Sequence, residues 1–359
     1  MADTTIDTST AVTGDLHAVQ LWSKMTWREA KEHSCFYYLT GKDAGSPIYE
    51  QPELKKDRGD RIHITLTENI DISGVSGHGY GAEDTLAGKE YQLVDRSDNV
   101  VIDQLRQALR TSGKLTEQRA SYDVRAEMKD KLMHWGPRIH DMVLFNKLAG
   151  QTFQDAGSST VFSAGVTNTN ILYPGNATSN ATLTTADKFD LDLVIDAKTC
   201  AKVGVIGGTT IYKMRPCIMD GEPHYLCLLH PYQVNAIKHS PTWKDAILNA
   251  RERAKTNPVW TGIVAVWDGV AFKEHDLVFT GSDAGVNSDL AYATALFLGG
   301  QAAAYAPAQD GYDWVEETFD YGQKWGIATG FVAGFEKVQF NSKDFSTIAI
   351  TTAAANPRV

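Results

Sequence analysis

The sequence predicts an α+β fold whose parts are shaped for assembly. Three observations carry that reading. A glycine-rich hairpin is too long to stand alone, one helical stripe runs far longer than an average helix, and a mixed α/β region ends in β-rich runs. The elements are taken in chain order.

The opening residues are Thr, Asp, Ala and Ser with one Gly and read as a mobile arm. From Leu16 to Tyr38 a helical pattern follows, with Leu16, Val19, Trp22, Met25 and Trp27 near i, i+3 spacing. Trp22, Trp27, Phe36, Tyr37 and Tyr38 are a heavy aromatic load beside a terminus. They need a surface to lie on, in their own core or on a neighbouring subunit.

Arg61-Ile-His-Ile-Thr-Leu-Thr-Glu alternates polar and apolar, with Ile62, Ile64 and Leu66 on one face. A second strand is expected at Glu90-Tyr-Gln-Leu-Val. Between them, Gly74, Gly77, Gly79, Gly81 and Gly88 flank Tyr80 in a tip that permits unusual backbone angles. An isolated hairpin is marginally stable in water, so a long one rests on something else.

The longest helical signal spans Thr116 to Leu148. Val124, Met128, Leu132, Trp135, Ile139, Met142 and Val143 follow steps of three and four. Thr116 is the expected N-cap, Gly150 stands just past the end, and a kink or break is expected at Gly136-Pro137. The rod would be roughly 50 Å long. Residues 151–185 read as loops and short strands. A second helix is expected from Thr185 or Asp187 to about Val203, a buried strand at Tyr225–His230 and a helix at Pro241–Lys255. Gly262 to Phe272 reads as two strand halves around an Asp268-Gly269 turn. Phe331–Phe340 and Thr347–Thr351 read as closing strands. The long helix should face that first run, with Phe331, Val332, Phe335, Val338 and Phe340 opposite its stripe.

Composition narrows the function. The 359 residues include 44 acidic and 34 basic side chains, for a formal net charge of −10. That balance argues against a chain whose main task is to grip nucleic acid through a basic face. No apolar run reaches the length needed to span a bilayer, so no membrane partner is expected. The N-terminus lacks the basic and apolar regions of a signal peptide, so the chain is expected to stay where it is made. Cys35, Cys200, Cys217 and Cys227 are widely spaced and read as free, mostly buried thiols.

Chemical motifs are weak. Gly77-x-Gly79-x-Gly81 lacks both the Walker Lys-Ser/Thr and the dinucleotide fingerprint. No nucleophile elbow occurs. His134 and His140, like His224 and His230, are six apart rather than the four of zinc helices. Asp190 and Asp192 sit on different helix faces, so with Asp196 they read as a solvated side with an acidic first turn. No catalytic residue, metal site or cofactor is expected.

An ordered series of stretches resembles the major capsid proteins of tailed double-stranded DNA phages, of the podophage-type branch. They are Leu54-Lys-Lys-Asp-Arg-Gly-Asp-Arg-Ile-His-Ile-Thr-Leu leading to Gly77-His-Gly-Tyr-Gly, then Arg96-Ser-Asp-Asn-Val-Val-Ile-Asp, then Asn257-Pro-Val-Trp-Thr-Gly with Trp267-Asp-Gly-Val. Phe297-Leu-Gly-Gly-Gln-Ala, Phe319-Asp-Tyr-Gly-Gln-Lys-Trp-Gly and Gly334-Phe-Glu-Lys-Val-Gln-Phe-Asn complete it.

The resemblance implies the herpesvirus and tailed-phage capsid fold: an N-terminal arm, an extended E-loop hairpin, a spine helix in a peripheral P-domain, and an axial A-domain. On that basis the arm is 1–50, the E-loop 51–113, the spine helix and P-domain 114–186, and the A-domain 187–315. Residues 316–359 return to the P-domain with the C-terminus. The implied function is a structural coat subunit that forms hexamers and pentamers of an icosahedral virion shell around packaged DNA. Its implied partners are other copies of itself, scaffolding, portal and decoration proteins, and DNA touched non-specifically, with assembly in the host cytoplasm. Trp22, Trp27, Gly74, Gly77, Gly79, Tyr80, Gly81 and Gly88 are then the inter-subunit contact candidates. Some relatives crosslink a hairpin lysine to an asparagine. Lys89 flanks this tip and reads as solvated. The alternatives are a bacterial encapsulating shell protein of the same fold and an α/β enzyme.

Overall fold

The computed structural model describes residues 34–51, 61–67, 95–151, 165–219, 221–241, 243–244, 265–309 and 311–356. Trp22, Trp27, the tip from Ser73 to Gly88, the expected strand at 90–94 and most of the expected helix at 241–255 lie outside them.

One long helix joins two sheets. It runs Val124–Ala149, 26 residues, opened by Asp123, whose carboxylate accepts the Arg125 and Ala126 N–H groups. Gly150 closes it in the left-handed region, as expected. The expected single rod from Thr116 is instead two helices, Lys114–Arg119 and Val124–Ala149. The break falls at 120–123 because the Asp123 cap satisfies first-turn donors there. No break occurs at Gly136-Pro137. The glycine serves close approach: a Cβ on Gly136 would sit 2.8 Å from the Tyr312 ring, which lies against the helix. Burial on both sides holds the helix through Pro137 despite the lost N–H.

The first sheet is built on the strand Lys324–Lys337, 14 residues long. Ala303–Pro307 and Asp313–Phe319 pair antiparallel with successive parts of one edge, and Asp103–Arg110 pairs with the other. Ile48–Glu50 and Thr40–Gly41 extend it beyond Ala303–Pro307. Alternation sorts the long strand into two faces. Trp325, Ile327, Phe331 and Phe335 face the helix. Met128 and Leu132 pack with Trp314, Trp325 and Ile327, while Ile139 packs with Phe331 and Phe335. The Trp135 ring lies 6.2 Å from that of Phe331.

The helix-on-sheet pairing therefore holds, but its partners shift. Val332 points to the other face, in register with Gln104. Val338 and Phe340 pack with Ile62, Val100, Ala304, Ala306 and Phe345 at the root of the hairpin. A strand's period of two forbids the mixed set Phe331, Val332 and Phe335 from sharing one face.

The second sheet runs Ala265–Trp267, Val270–Glu274, Glu222–Leu229, Leu290–Leu298, Thr347–Ala353 and Ile171–Leu172, with Thr280–Ala284 and Cys217–Met219 attached. Asp268 and Gly269, both at positive φ, make the expected tight turn. The helices Leu191–Val203 and Pro231–His239 cover one face, where Tyr225, Cys227, Leu229, Ala295 and Phe297 lie. Leu226, Leu228, Leu296 and Leu298 lie on the other, against Val143, Leu144, Phe145 and Leu148 of the long helix. Thr347–Ala353 was expected to close the first sheet with its neighbours, but it lies inside the second, antiparallel to Leu290–Leu298. Its pattern is buried throughout, as a strand covered on both faces requires.

Candidate assembly surface

The outer face of the first sheet is divided. At one end the hairpin strands Arg61–Thr67 and Asp95–Val101 pair from Arg61–Val101 to Thr67–Asp95, and their root covers the sheet. A Cβ on Gly334 would meet the Val101 carbonyl at 2.6 Å and Val100 at 2.7 Å. The absence of a side chain is what lets the hairpin cross there. The Gln339 N–H donates to Asp98 at 2.8 Å, and burial raises the Asp98 carboxyl above its ordinary range.

At the other end the same face is open. Val315, Ala328 and Ala108 form one cross-strand row, and Glu317, Gly326 and Arg110 the next. With Phe319 they line a shallow groove of about 200 Å³. Val315 is 57% and Phe319 38% exposed. The Arg110 guanidinium stands 5.7 Å from the Phe319 ring centroid. The groove offers an apolar, small-residue floor and flanking charges of both signs. That suits an extended segment better than a small polar substrate.

The root of the N-terminal segment is fixed elsewhere. Asp141, inside the long helix, accepts from Ser34 Oγ at 2.6 Å, the Cys35 N–H at 2.7 Å and the Phe36 N–H at 3.4 Å. Lys273 Nζ donates to the Cys35 carbonyl at 3.0 Å, and the Phe36 ring packs 4.8 Å from that of Phe145. Sequence reasoning missed Asp141, because a lone acid in a helical stripe carries no local signal.

Among the described residues the histidines and cysteines do not converge on one centre. His140 lies between the Tyr305 and Phe335 rings, and burial lowers it to about 4 against the opposing charge of Asp141. His134 sits apart, 3.5 Å from Asp130. His230 caps Pro231–His239 through Nδ1. Burial pushes the Cys217 thiol up to about 12 and Cys227 further, and all four cysteines are free. Asp190 caps its helix, with Asp192 and Asp196 exposed. Among the described residues no His, Cys, Asp and Glu cluster could hold a metal, and no helix is long and apolar enough to cross a membrane. The contact candidates Trp22, Trp27, Gly74, Gly77, Gly79, Tyr80, Gly81 and Gly88 all lie outside the described residues.

A hairpin whose root crosses a sheet, a long helix laid on that long-stranded sheet, and a second sheet buried on both faces define a shell-forming subunit of the tailed-phage capsid fold. The family model described as phage capsid protein matches residues 10–356, and the chain belongs to that family. The major capsid protein of Pseudomonas phage KPP25 is 29% identical over 370 residues, covering 93% of this chain and 94% of the relative. The capsid of Ralstonia phage GP4 matches with a TM-score of 0.76 at 30% identity, over 91% of this chain and 92% of that one. The capsid asymmetric unit of cyanophage Pam1, at 17% identity, shares the fold with a TM-score of 0.69 over 99% and 100%. The chain is a major capsid subunit of a phage virion, a structural protein and not an enzyme.

Proposed function

We propose that this chain builds hexamers and pentamers of an icosahedral shell that encloses packaged double-stranded DNA, each copy seating its hairpin on the open sheet face of a neighbour. The observation that carries this reading is the divided outer face, covered by the chain's own hairpin root at Gly334 and open at Val315, Ala328 and Phe319. The proposed parts are an arm at 1–50, an E-loop at 51–113, a spine helix and P-domain at 114–186, an axial A-domain centred on 187–315, and P-domain return strands from 316. The second sheet forms the A-domain core, with Thr347–Ala353 reaching back into it.

Trp22 and Trp27 are proposed anchors on a neighbouring subunit, and Gly74, Gly77, Gly79, Tyr80, Gly81 and Gly88 form the tip that adapts to it. The net charge of −10 suits a wall that touches DNA without holding it. Scaffolding, portal and decoration proteins are the further partners of such a shell. Electron microscopy of the purified full chain tests this reading, with closed shells expected. A chain lacking residues 1–33 should remain folded and form none. Normal shells from that truncation would overturn the role of the arm.

A further inference from the structure

Behind the C-terminal end of the long helix, the buried Lys337 meets both the buried Asp344 and the half-buried Asn168. Lys337 and Asp344 are both 0% exposed, and Lys337 Nζ stands 2.8 Å from Asp344 Oδ1. The same Nζ donates to Asn168 Oδ1 at 2.5 Å. Given a C=O bond of about 1.23 Å, Nζ is then at most about 3.7 Å from Asn168 Cγ, close to attack range. The carboxamide is oriented by its own Nδ2, which donates to the Ala149 carbonyl at 2.9 Å. Asp344 is held in turn by Thr169 N–H at 2.8 Å, Asn170 N–H at 3.3 Å and Gln339 Nε2 at 2.7 Å.

An amine in contact with both a carboxamide and a carboxyl group, with the amine and the carboxyl shielded from water, supplies the reactants and proton carrier of an amide exchange. We propose that Lys337 and Asn168 become joined by an intramolecular isopeptide bond, formed by the folded chain with Asp344 as the catalytic proton carrier.

A buried ion pair is costly to keep charged, and passing the proton from Lys337 Nζ to Asp344 Oδ1 neutralises both partners. Burial already holds the Lys337 ammonium below its ordinary pKa, against the opposing charge of Asp344. The freed Nζ lone pair attacks Asn168 Cγ, the new C–N bond forms, and the carbonyl electron pair moves to Oδ1. Asp344 takes the second proton from Nζ after giving the first to Nδ2. Collapse of the adduct breaks the Cγ–Nδ2 bond and releases ammonia. No oxidant or external reagent enters. The bond ties the segment that follows the long helix to the end of the longest strand, across 169 residues of sequence. A subunit that carries load in a shell would transmit it through that tie.

Intact mass spectrometry of the denatured full chain, from unassembled and assembled protein, tests this directly. The wild type should be lighter than its sequence by one ammonia, about 17 Da. A proteolytic map should hold one branched peptide carrying Asn168 and Lys337. Lys337→Arg, Asn168→Ala and Asp344→Asn should each restore the full sequence mass. A wild type at full mass in both states overturns the proposal whether or not the variants fold. So does a loss that maps to a linear peptide, or a loss of water joining Lys337 to Asp344. An Asp344→Asn chain that still crosslinks overturns the role given to Asp344.

Discussion

The two sheets of this subunit are finished differently. In the second, Leu226, Leu228, Leu296 and Leu298 meet the long helix on one face, while Tyr225, Cys227, Leu229 and Phe297 meet two further helices on the other. In the first, Trp325, Ile327, Phe331 and Phe335 are covered, but Val315, Ala328 and Phe319 across the same strands are not. A sheet covered on both faces stabilises the subunit alone. A sheet covered on one face holds apolar area in reserve for another chain. Subunit stability and shell formation are thereby assigned to different residues, and substitutions should separate them.

The largest effect on the subunit is expected in the doubly covered sheet. Leu296 is 0% exposed and contacts the joint core of helix and sheet. Leu296→Ala should cost about 2–5 kcal/mol, read from denaturant unfolding of unassembled protein. A cost below about 1 kcal/mol would show that this sheet is not the stability centre.

His140 supplies a pH-dependent effect of the next size. Its folded pKa of about 4 lies below the ordinary value of 6.5, so the unfolded chain takes up the proton first. The stability that depends on a neutral ring is fully present above about pH 6.5 and is lost as pH falls towards 4, by at most about 3 kcal/mol. His230 and His275, also lowered by burial, add in the same direction. Asp98 and Glu336, raised by burial, act in the opposite one. The difference between wild type and His140→Leu, followed by denaturant midpoint from pH 7 to 4, isolates the ring. A difference that does not change with pH would remove it as an acid-sensitive group.

These residues also show what the sequence could disclose. The helical stripe, the hairpin alternation and the Asp268-Gly269 turn are local patterns, and each appears where its period places it. The first half of the strand Lys324–Lys337 was not legible. Gly326, Gly330 and Gly334 look like breakers, yet they mark its outer face, where Phe319, Arg106 and Val101 approach the backbone. The sheet that receives Thr347–Ala353 was also hidden, because a fully buried strand has no alternation to show which layer it joins. Asp141 with Ser34, and Lys337 with Asn168, are meetings across more than a hundred residues. No spacing rule announces them.

A smaller effect is expected at the start of the long helix. Its first turns pack on the first sheet, through Val124 and Met128 beside Trp325. Asp123→Ala removes the acceptor for two N–H groups and should cost about 1 kcal/mol, with the loss confined to that end. Hydrogen exchange should quicken in residues 124–128 and stay unchanged in 143–149, which both sheets enclose. Equal loosening along the whole helix would mean that its two halves are not independently supported.

The smallest effect on the subunit belongs to the open face, and it should be the largest on assembly. Val315 is 57% exposed, and its cross-strand neighbour Ala328 offers little to pack against. Val315→Lys removes scant buried area and leaves the inner neighbours Trp314 and Glu316 in place, so unfolding of the isolated subunit should move by no more than about 0.5 kcal/mol. A seated neighbour would feel the change differently. Burying a lysine against an apolar segment costs desolvation that no partner in the row of Val315, Ala328 and Ala108 repays. Sedimentation and electron microscopy should then find folded subunits with few or no closed shells. The control is Val315→Ile, which keeps the face apolar and should assemble as the wild type does. If Val315→Lys forms normal shells at unchanged stability, the uncovered face is not where copies meet. The hairpin must then find its seat elsewhere.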